Sequence, residues 1–425
     1  MKIAVPYGST QVPLILPEQT TVIRSQHTTS LADERAAFLS ALQTPIASEP
    51  LARLVRATDR VAIIISDITR PTPNERMVPW LLEELAFVPR SQFVILNGTG
   101  SHRANTREEL IRMLGEEIVE TVEIVNHDSF APETLSQVGS LTSGAPVWLN
   151  KRYLEADFRI VTGFIEPHFF AGFSGGPKGI IPGLAGIQTI QALHNAPLIG
   201  HPRSTWATVA GNPIQEGIRE AVAFAPPEFL VNVTLDQERH ITGVYAGDYL
   251  AAYTVGCEQV ALSATRAVEA PFDIVITSNN GYPLDQNLYQ TVKGMTAAAQ
   301  IVRPGGAIVA IAECRDGLPD HGNYKRLLQM RESPAELLTM INDPAFQMND
   351  QWQVQKQVLV QLQASVYLHS SLPDEVVLAA KLAPAPDFQA TVDMLIEQYG
   401  PQARIAVLPE GPVTVPYVTE LATVS

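Results

Sequence analysis

The sequence has little cysteine and a deficit of positive charge. Only two cysteines occur among 425 residues, Cys257 and Cys314, which excludes a disulfide framework and a thiolate metal cluster. Lys and Arg number 29 against 44 Asp and Glu, and a net charge of -15 argues against a nucleic-acid or anionic membrane surface. There is no apolar run near the roughly 20 residues of a membrane span and no secretory signal at the N-terminus. We therefore expect a cytoplasmic protein with reduced thiols and no nucleic-acid or membrane partner.

Apolar segments alternate with polar loops along most of the chain, and hydrophobic residues make up 46% of it. The continuous β-branched run at 61–66 has the pattern of a strand buried on both faces. Further runs at 92–97, 122–125 and 158–162 are also predicted to be strands. Polar or glycine-rich loops follow these runs, and helical patterns follow several of the loops. This order, repeated, predicts parallel βαβ units and an α/β fold with largely parallel sheets. A further short strand is expected at 376–378.

A chain of 425 residues is too long for one ordinary core, so two domains are expected. A proline-containing stretch at 269–271 marks the boundary. The first α/β domain is predicted at 1–268, with the tail 409–425 as a candidate to complete it. The second α/β domain is predicted at 269–408, and we expect the active site in the cleft between the two domains.

Four side chains with acid–base or anion-binding chemistry come just after predicted strands. These residues are Asp67, Arg70, His102 and His168. In parallel α/β sheets, ligands lie outside the carboxyl ends of the strands. The four side chains are therefore expected to converge, although they are distant in sequence.

A glycine-rich loop follows the strand at 158–162 and carries Lys178. Its glycines are expected to allow sharp turns or close approach to a ligand, and they stand at 172, 175, 176, 179, 183 and 186. A phosphate-binding loop of the Walker type needs a hydroxyl residue after the lysine. Gly179 stands there instead, which argues against a Walker NTPase. The backbone N–H groups of the loop remain candidates to cradle a phosphate.

Histidines are frequent near the predicted strand ends, but their spacing does not form a known zinc motif. His102, His168, His194 and His201 include no His-Glu-x-x-His helix, and no cysteine pair accompanies them. One histidine ligand to a metal held mainly by another group remains open. His201 and His127 are expected to be ordinary structural histidines. The sequence also lacks a serine-hydrolase elbow and a dinucleotide-binding fingerprint in the right setting.

A helix predicted in the second domain carries a phenol, an amide and an amine. Tyr289, Gln290 and Lys293 are spaced so that all three share one helical face. Together they suit a small carboxylate, and Arg70 can supply a bidentate fork to the same anion. An ordinary solvated helix face is the alternative.

Taken together, these motifs resemble those of the nickel-pincer lactate racemase family, whose members act on lactate and other 2-hydroxy acids. They extend in order over most of the chain. The matching pieces are Asp67-Ile-Thr-Arg70-Pro71, Gly98-Thr-Gly-Ser-His102-Arg103, Glu166-Pro-His168, Gly175-Gly-Pro-Lys178-Gly179, His194-Asn195, Tyr289-Gln290-x-x-Lys293 and Trp352.

The resemblance implies an isomerase that inverts a 2-hydroxy acid by reversible hydride transfer. It implies nickel held by a pyridinium-3,5-bisthiocarboxylic acid mononucleotide, which separate biosynthetic proteins supply. By the same resemblance, Lys178 is the covalent attachment point, His194 the nickel ligand, and His102 and His168 the acid/base pair. The remaining roles are cofactor contacts and substrate contacts. The cofactor contacts are Asp67, Gly175, Gly176, Gly179 and Trp352, and the substrate contacts are Arg70, Tyr289, Gln290 and Lys293.

Two functions of other classes stay open from the residues alone. A non-catalytic binder of a phosphorylated small molecule explains the glycine-rich loop but gives no role to His102 and His168. A metal-dependent hydrolase or lyase predicts zinc or magnesium dependence and no modified lysine.

Overall fold

A computed structural model describes residues 1–26, 28–319 and 322–419. The strands are β1 (Lys2–Tyr7), β2 (Thr10–Ile15), β3 (Thr21–Val22), β4 (Val61–Ser66), β5 (Phe93–Gly98), β6 (Glu123–Asn126), β7 (Leu135–Ser140), β8 (Pro146–Asn150), β9 (Phe158–Phe164), β10 (Pro167–His168), β11 (Gly172–Phe173), β12 (Phe229–Leu235), β13 (Ile241–Gly247), β14 (Thr265–Val268), β15 (Phe272–Ser278), β16 (Val302–Ile311), β17 (Ser365–His369), β18 (Ala383–Pro384), β19 (Ile405–Leu408) and β20 (Val415–Val418).

The helices are α1 (Glu34–Gln43), α2 (Leu51–Leu54), α3 (Asn74–Glu84), α4 (Arg107–Leu114), α5 (Glu116–Thr121), α6 (Lys151–Leu154), α7 (Ile187–Leu193), α8 (Ala196–Gly200), α9 (Pro213–Val222), α10 (Ala251–Ala264), α11 (Leu288–Ala298), α12 (Tyr324–Leu328), α13 (Pro334–Ile341), α14 (Gln351–Gln363), α15 (Asp374–Ala379) and α16 (Phe388–Tyr399). Within the described residues, none of these helices combines the length and apolar character that a membrane crossing needs.

The first compact unit, here the N-terminal unit, comprises His27–His194 and Thr208–Ser263. Its six-stranded sheet has the order β13-β12-β9-β4-β5-β6. All neighbours are parallel except β12 and β13, which are antiparallel. Strand β4 is central, and its residues 61–65 are buried, as expected for an aliphatic strand covered on both faces.

The second compact unit, here the C-terminal unit, comprises Met1–Gln26, Asn195–Ala207 and Ala264–Ser425. Its six-stranded sheet has the order β18-β17-β16-β15-β19-β3, and every neighbouring pair is parallel. Both units thus contain a mainly parallel sheet with helices in the crossovers. The predicted α/β fold with largely parallel sheets is confirmed.

The two compact units interleave in sequence, whereas the expected division was 1–268, with 409–425 as a candidate to complete it, and 269–408. The β1–β2 hairpin contributes Val5 and Leu14 to the hydrophobic core of the C-terminal unit, and β3 pairs with β19. The tail strand β20 pairs with β14 in the same unit. Residues 420–425 of the expected tail lie outside the described part of the chain.

The strand expected at 376–378 is wrong, because this stretch lies within helix α15. Pro373 precedes the helix, and Asp374 and Glu375 occupy its first turn. Acidic side chains at a helix N-terminus interact favourably with the helix dipole. These start signals outweigh the strand preference of two adjacent valines.

Candidate functional site

The carboxyl end of β4 presents a buried carboxylate bonded to a histidine. Asp67 is 3% exposed, and its Oδ1 accepts hydrogen bonds from the backbone N–H and hydroxyl of Thr69. Its Oδ2 lies 2.7 Å from Nδ1 of His102. Burial alone raises the pKa of Asp67, but the hydrogen bond and charge of His102, with the charge of Arg70, outweigh it and lower the pKa.

The ionised Asp67 fixes the tautomer of His102. A carboxylate can only accept, so Nδ1 of His102 carries the proton. In the neutral ring, Nε2 then carries the lone pair. The His102 side chain is 47% exposed, which allows this nitrogen to meet a small molecule. The neutral His102 ring can therefore accept a proton at Nε2.

Three predicted residues surround one aromatic ring that the sequence did not single out. The Phe170 ring centroid lies 4.4 Å from the ring of His168 and 5.6 Å from the ring of His194. The Nζ atom of Lys178 lies 5.7 Å from the same centroid. Phe170 is buried and follows His168 by two residues, which was the available sequence signal. The structure therefore brings His168, Lys178 and His194 together around Phe170.

His168 has the opposite tautomer from His102. Its Nδ1 accepts hydrogen bonds from the backbone N–H groups of Phe170 and Ala171, at 3.4 and 3.2 Å. A nitrogen that accepts carries no proton, so the neutral ring has its proton on Nε2. His168 thus presents an N–H where His102 presents a lone pair.

The Lys178 amine has an unusually low proton affinity. Burial lowers its pKa to about 7, and the positive charge of Arg70 acts in the same direction, while Glu166 opposes them. A neutral amine is the nucleophilic form of lysine. Near neutral pH, a large fraction of Lys178 is therefore able to form a covalent bond.

The His194 ring is held neutral in one tautomer. Burial, followed by the charge of Lys178, lowers the pKa of His194 to about 4, and a hydrogen bond to Ile190 partly opposes this. Its Nδ1–H donates to the carbonyl oxygen of Ile190 at 2.8 Å. A neutral imidazole oriented by such a bond is the form that coordinates metals.

Arg70 links the two groups of side chains electrostatically. Its charge lowers the pKa of Asp67 and also that of Lys178. Asp67, Arg70, His102, His168, Lys178 and His194 all belong to the N-terminal unit. The convergence expected from positions after strands is thus supported for Asp67, Arg70 and His102, and for His168 it stays a prediction.

The glycines of the lysine loop allow close packing against protein atoms. A Cβ at Gly175 would lie 2.6 Å from Oδ1 of Asn232, and one at Gly179 would lie 2.6 Å from Val161. A Cβ at Gly176 would overlap the ring of Tyr253. These glycines therefore set the path of the loop that carries Lys178. Their predicted contacts with a cofactor stay a prediction.

The remaining predicted residues lie in the C-terminal unit. Tyr289, Gln290 and Lys293 are partly exposed on α11, whereas Leu288, Thr291, Val292 and Gly294 between and beside them are buried. The three side chains thus share one accessible face of the helix, as the spacing predicts. Trp352 lies on α14, which packs against α11.

Two other histidines have structural surroundings. His127 is 2% exposed, donates from Nε2 to the carbonyl oxygen of Ala185, and accepts at Nδ1 from Asn150. It thereby holds the end of the lysine loop. His201 is exposed, and its Nδ1 accepts from the backbone of Arg203.

Family models match both parts of the chain. A model described as the lactate racemase N-terminal domain matches residues 7–207, and one described as the lactate racemase C-terminal domain matches residues 267–415. The chain belongs to the lactate racemase family. Membership makes it an enzyme, an isomerase of the racemase type, and confirms the resemblance found in the sequence.

Curated and solved relatives of the lactate racemase family resemble the chain over nearly its whole length. Lactate racemase of Lactiplantibacillus plantarum is 38% identical over 89% of this chain and 90% of its own. Lactate racemase of Thermoanaerobacterium thermosaccharolyticum is 35% identical over 96% of this chain and 97% of its own. The lactate racemase apoprotein structure from the latter organism has a TM-score of 0.91 at 34% identity, covering 98% and 100%. A Thermotoga maritima protein, with a TM-score of 0.68 at 20% identity over 91% and 98%, shares the fold.

The low pKa of Lys178 predicts selective modification at neutral pH. We expect the rate of reductive methylation of Lys178 to be half-maximal near pH 7, because its amine is neutral above that pH. Peptide mass mapping of the protein without cofactor measures this rate. In the denatured chain, the midpoint should return to about 10.4, the ordinary lysine value. A midpoint near the ordinary value in the folded protein would contradict the described environment.

Replacing Gly176 with Ala should destabilise the N-terminal unit. The new Cβ would meet the Tyr253 ring, and the backbone φ of 57° adds strain. We expect a loss of about 2–4 kcal/mol in the free energy of unfolding, measured with urea. Gly144→Ala is the matched control, since Gly144 has φ of 86° but no atom lies within 4 Å of the place that its new Cβ would take. Equal effects of the two substitutions would show that the ring contact contributes nothing.

Proposed function

We propose that the chain interconverts the enantiomers of a 2-hydroxy acid, lactate being the first substrate to test, with a nickel-pincer nucleotide attached to Lys178. The main structural support for this proposal is the cluster of His168, Lys178 and His194 around Phe170. Family membership and the named lactate racemases among the relatives support the same reaction. The enzyme is further proposed to be cytoplasmic and to depend on separate proteins that make the cofactor.

The protonation states of Lys178 and His194 fit the proposed cofactor. A neutral amine suits a covalent tether, and a neutral imidazole with its Nδ1–H engaged suits nickel coordination through Nε2. We assign cofactor contacts to Asp67 and Trp352, and to the loop glycines Gly175, Gly176 and Gly179. When bound, the nickel-pincer group supplies reversible hydride acceptance.

The two histidines are proposed to move the hydroxyl proton. His102 offers a lone pair at Nε2 and is suited to remove that proton, and its imidazolium is then stabilised by the Asp67 carboxylate. His168 offers an N–H at Nε2 and is suited to donate to the reacting oxygen. Two groups are needed because the enantiomers present their hydroxyls differently. Reaction in the opposite direction requires the two rings to exchange these roles.

Substrate binding is assigned to four polar side chains. Arg70 is an exposed guanidinium that can grip a carboxylate bidentately. Tyr289, Gln290 and Lys293, on the accessible face of α11, are proposed to bind the substrate carboxylate and its reacting oxygen. Because all four groups recognise the shared 2-hydroxy acid core, a panel of such acids is needed to define the side-chain preference.

Substituting either histidine tests the reaction. We expect His102→Ala and His168→Ala each to lower kcat for racemisation of L- and D-lactate by about 10²–10⁴-fold, the contribution typical of acid–base catalysis. An enantiomer-specific lactate assay on protein produced with the cofactor-making enzymes provides the measurement. His240→Ala, at an exposed histidine in the turn between β12 and β13 and outside the proposed machinery, is the control. Full activity in both catalytic variants would overturn the assignment and favour a role in binding alone.

Replacing Asp67 with Asn should reduce activity while leaving the cofactor attached. The amide can still orient His102, but it no longer stabilises the imidazolium that forms when His102 takes a proton. We expect kcat to fall at least about tenfold, with unchanged adduct mass on Lys178. Unchanged kcat would mean that the Asp67–His102 pair is only structural.

The alternative functions receive no specific support from the structure. A phosphate-binding loop needs available backbone N–H groups, but that of Gly176 already donates to Oδ1 of Asn232. Within the described residues, three side chains able to hold a metal together occur at Asp236, Glu238 and His240, in the turn between β12 and β13 and not in the lysine loop. The racemase proposal alone gives roles to His102, His168, Lys178 and His194 together.

A further inference from the structure

Helix α14 carries buried amide side chains that reach the backbone of neighbouring elements. Gln353 and Gln355 are each 1% exposed, and Gln357 is fully buried. Burying an amide is unfavourable unless it finds hydrogen-bond partners. Each of these three side chains donates to a main-chain carbonyl oxygen of another segment or bonds across to another helix. The helix therefore fixes the positions of several backbone segments.

Two neighbouring side chains of α14 hold the segment that directly follows the proposed nickel ligand. Nε2 of Gln355 donates to the carbonyl oxygen of Ala196 at 2.8 Å, and Nζ of Lys356 donates to that of Ser204 at 2.7 Å. Both carbonyls lie in Asn195–Ala207, which belongs to the C-terminal unit, whereas His194 ends the preceding segment of the N-terminal unit. The backbone immediately after His194 is thus anchored to α14 at two points.

A third side chain of the same helix holds the proposed substrate helix. Nε2 of Gln353 donates to the carbonyl oxygen of Tyr289, in the first turn of α11. Tyr289 and Gln290 are proposed substrate contacts, and Trp352, next to Gln353, is a proposed cofactor contact. One helix therefore supports the backbone of the substrate helix and the backbone that follows the metal ligand.

The surroundings of Lys356 indicate that it positions a neighbouring backbone segment more than it stabilises the fold. Its ammonium is largely enclosed, and burial lowers its pKa to about 8. Among the described residues no carboxylate contributes to the pKa shift of Lys356, and its hydrogen bond is to the neutral carbonyl oxygen of Ser204. An enclosed ammonium without a counter-ion costs free energy that an apolar side chain of similar length does not. The hydrogen bond from Lys356 instead fixes the position of the Ser204 carbonyl group.

We propose that Gln353, Gln355 and Lys356 are positioning residues, the first for the substrate helix and the other two for the segment that follows the nickel ligand. This inference rests on the proposed function, since that function assigns nickel to His194 and substrate to α11. The two groups of residues should have separable effects. Gln353 should influence substrate binding, and Gln355 and Lys356 should influence retention of the metal.

The test uses methionine substitutions in the cofactor-loaded enzyme, because methionine matches the length of glutamine, is one atom shorter than lysine, and removes the donor. We expect Gln353→Met to raise KM for lactate about tenfold, the effect of one lost hydrogen bond, with unchanged nickel loss. We expect Gln355→Met and Lys356→Met to speed nickel loss to a chelator about tenfold with unchanged KM. Lys356→Arg, which keeps a donor, should retain nickel.

The matched control is Gln361→Met on the same helix. Gln361 donates to the carbonyl oxygen of Lys381, away from both proposed functional segments in sequence. It should change neither KM nor nickel retention. The proposal would be overturned if all four methionine variants showed the same lower Tm, higher KM and faster nickel loss. That result would mean that α14 contributes only to general stability.

Hydrogen exchange of the protein without cofactor separates this inference from the proposed function. Lys356→Met should speed amide exchange in 196–206 by about tenfold and leave 374–381 unchanged. If the wild-type enzyme never acquires nickel, the proposed function fails, while this exchange result still tests the anchoring. Unchanged exchange in 196–206 would overturn the positioning role whether or not nickel binds. If Lys356→Met does not fold, Gln355→Met provides the same comparison.

Discussion

Enclosure of the Lys178 amine beside the Arg70 guanidinium is the constraint on which the proposed chemistry depends. An ordinary lysine is almost wholly charged at neutral pH and is a poor nucleophile. Here burial and a neighbouring positive charge both oppose protonation. The surrounding loop must therefore follow a fixed path, and the glycines at 175, 176 and 179 make that path possible by removing side chains where other protein atoms lie.

Phe170 connects the Lys178 amine to two histidines of the proposed site. Its ring contacts His168 and His194 and lies beneath the Lys178 amine, so one buried side chain relates three polar groups with different tasks. Each histidine also has its proton position defined by the protein. His102 is set by Asp67, His168 by backbone N–H groups, and His194 by the carbonyl of Ile190. The tautomer of each ring is thus set by the folded chain itself.

Much of this arrangement was predictable from the sequence, because parallel strands place their following loops at one sheet edge. Asp67 and His102, 35 residues apart, meet in this way. The accessible face of α11 followed from helical spacing. Phe170 was not predicted, since an aromatic residue in an apolar stretch usually indicates core packing. The role of the loop glycines was also out of reach, because it depends on neighbours such as Tyr253, 77 positions away and brought close only by folding.

The interleaving of the two units was not predictable for a similar reason. Strand β3 has only two residues and no recognisable pattern, yet it joins the edge of a sheet formed mainly by residues beyond 264. The excursion of Asn195–Ala207 depends on individual hydrogen bonds to α14, which no periodicity encodes. At 376–378, helix start signals outweighed a short aliphatic run.

The most direct test of the account is the mass of the peptide containing Lys178, taken from protein produced together with the cofactor-making enzymes and assayed for nickel. We predict a nucleotide-derived adduct on Lys178 and nickel in an amount matching the protein. A chain that racemises lactate with unmodified Lys178 and without nickel would contradict it.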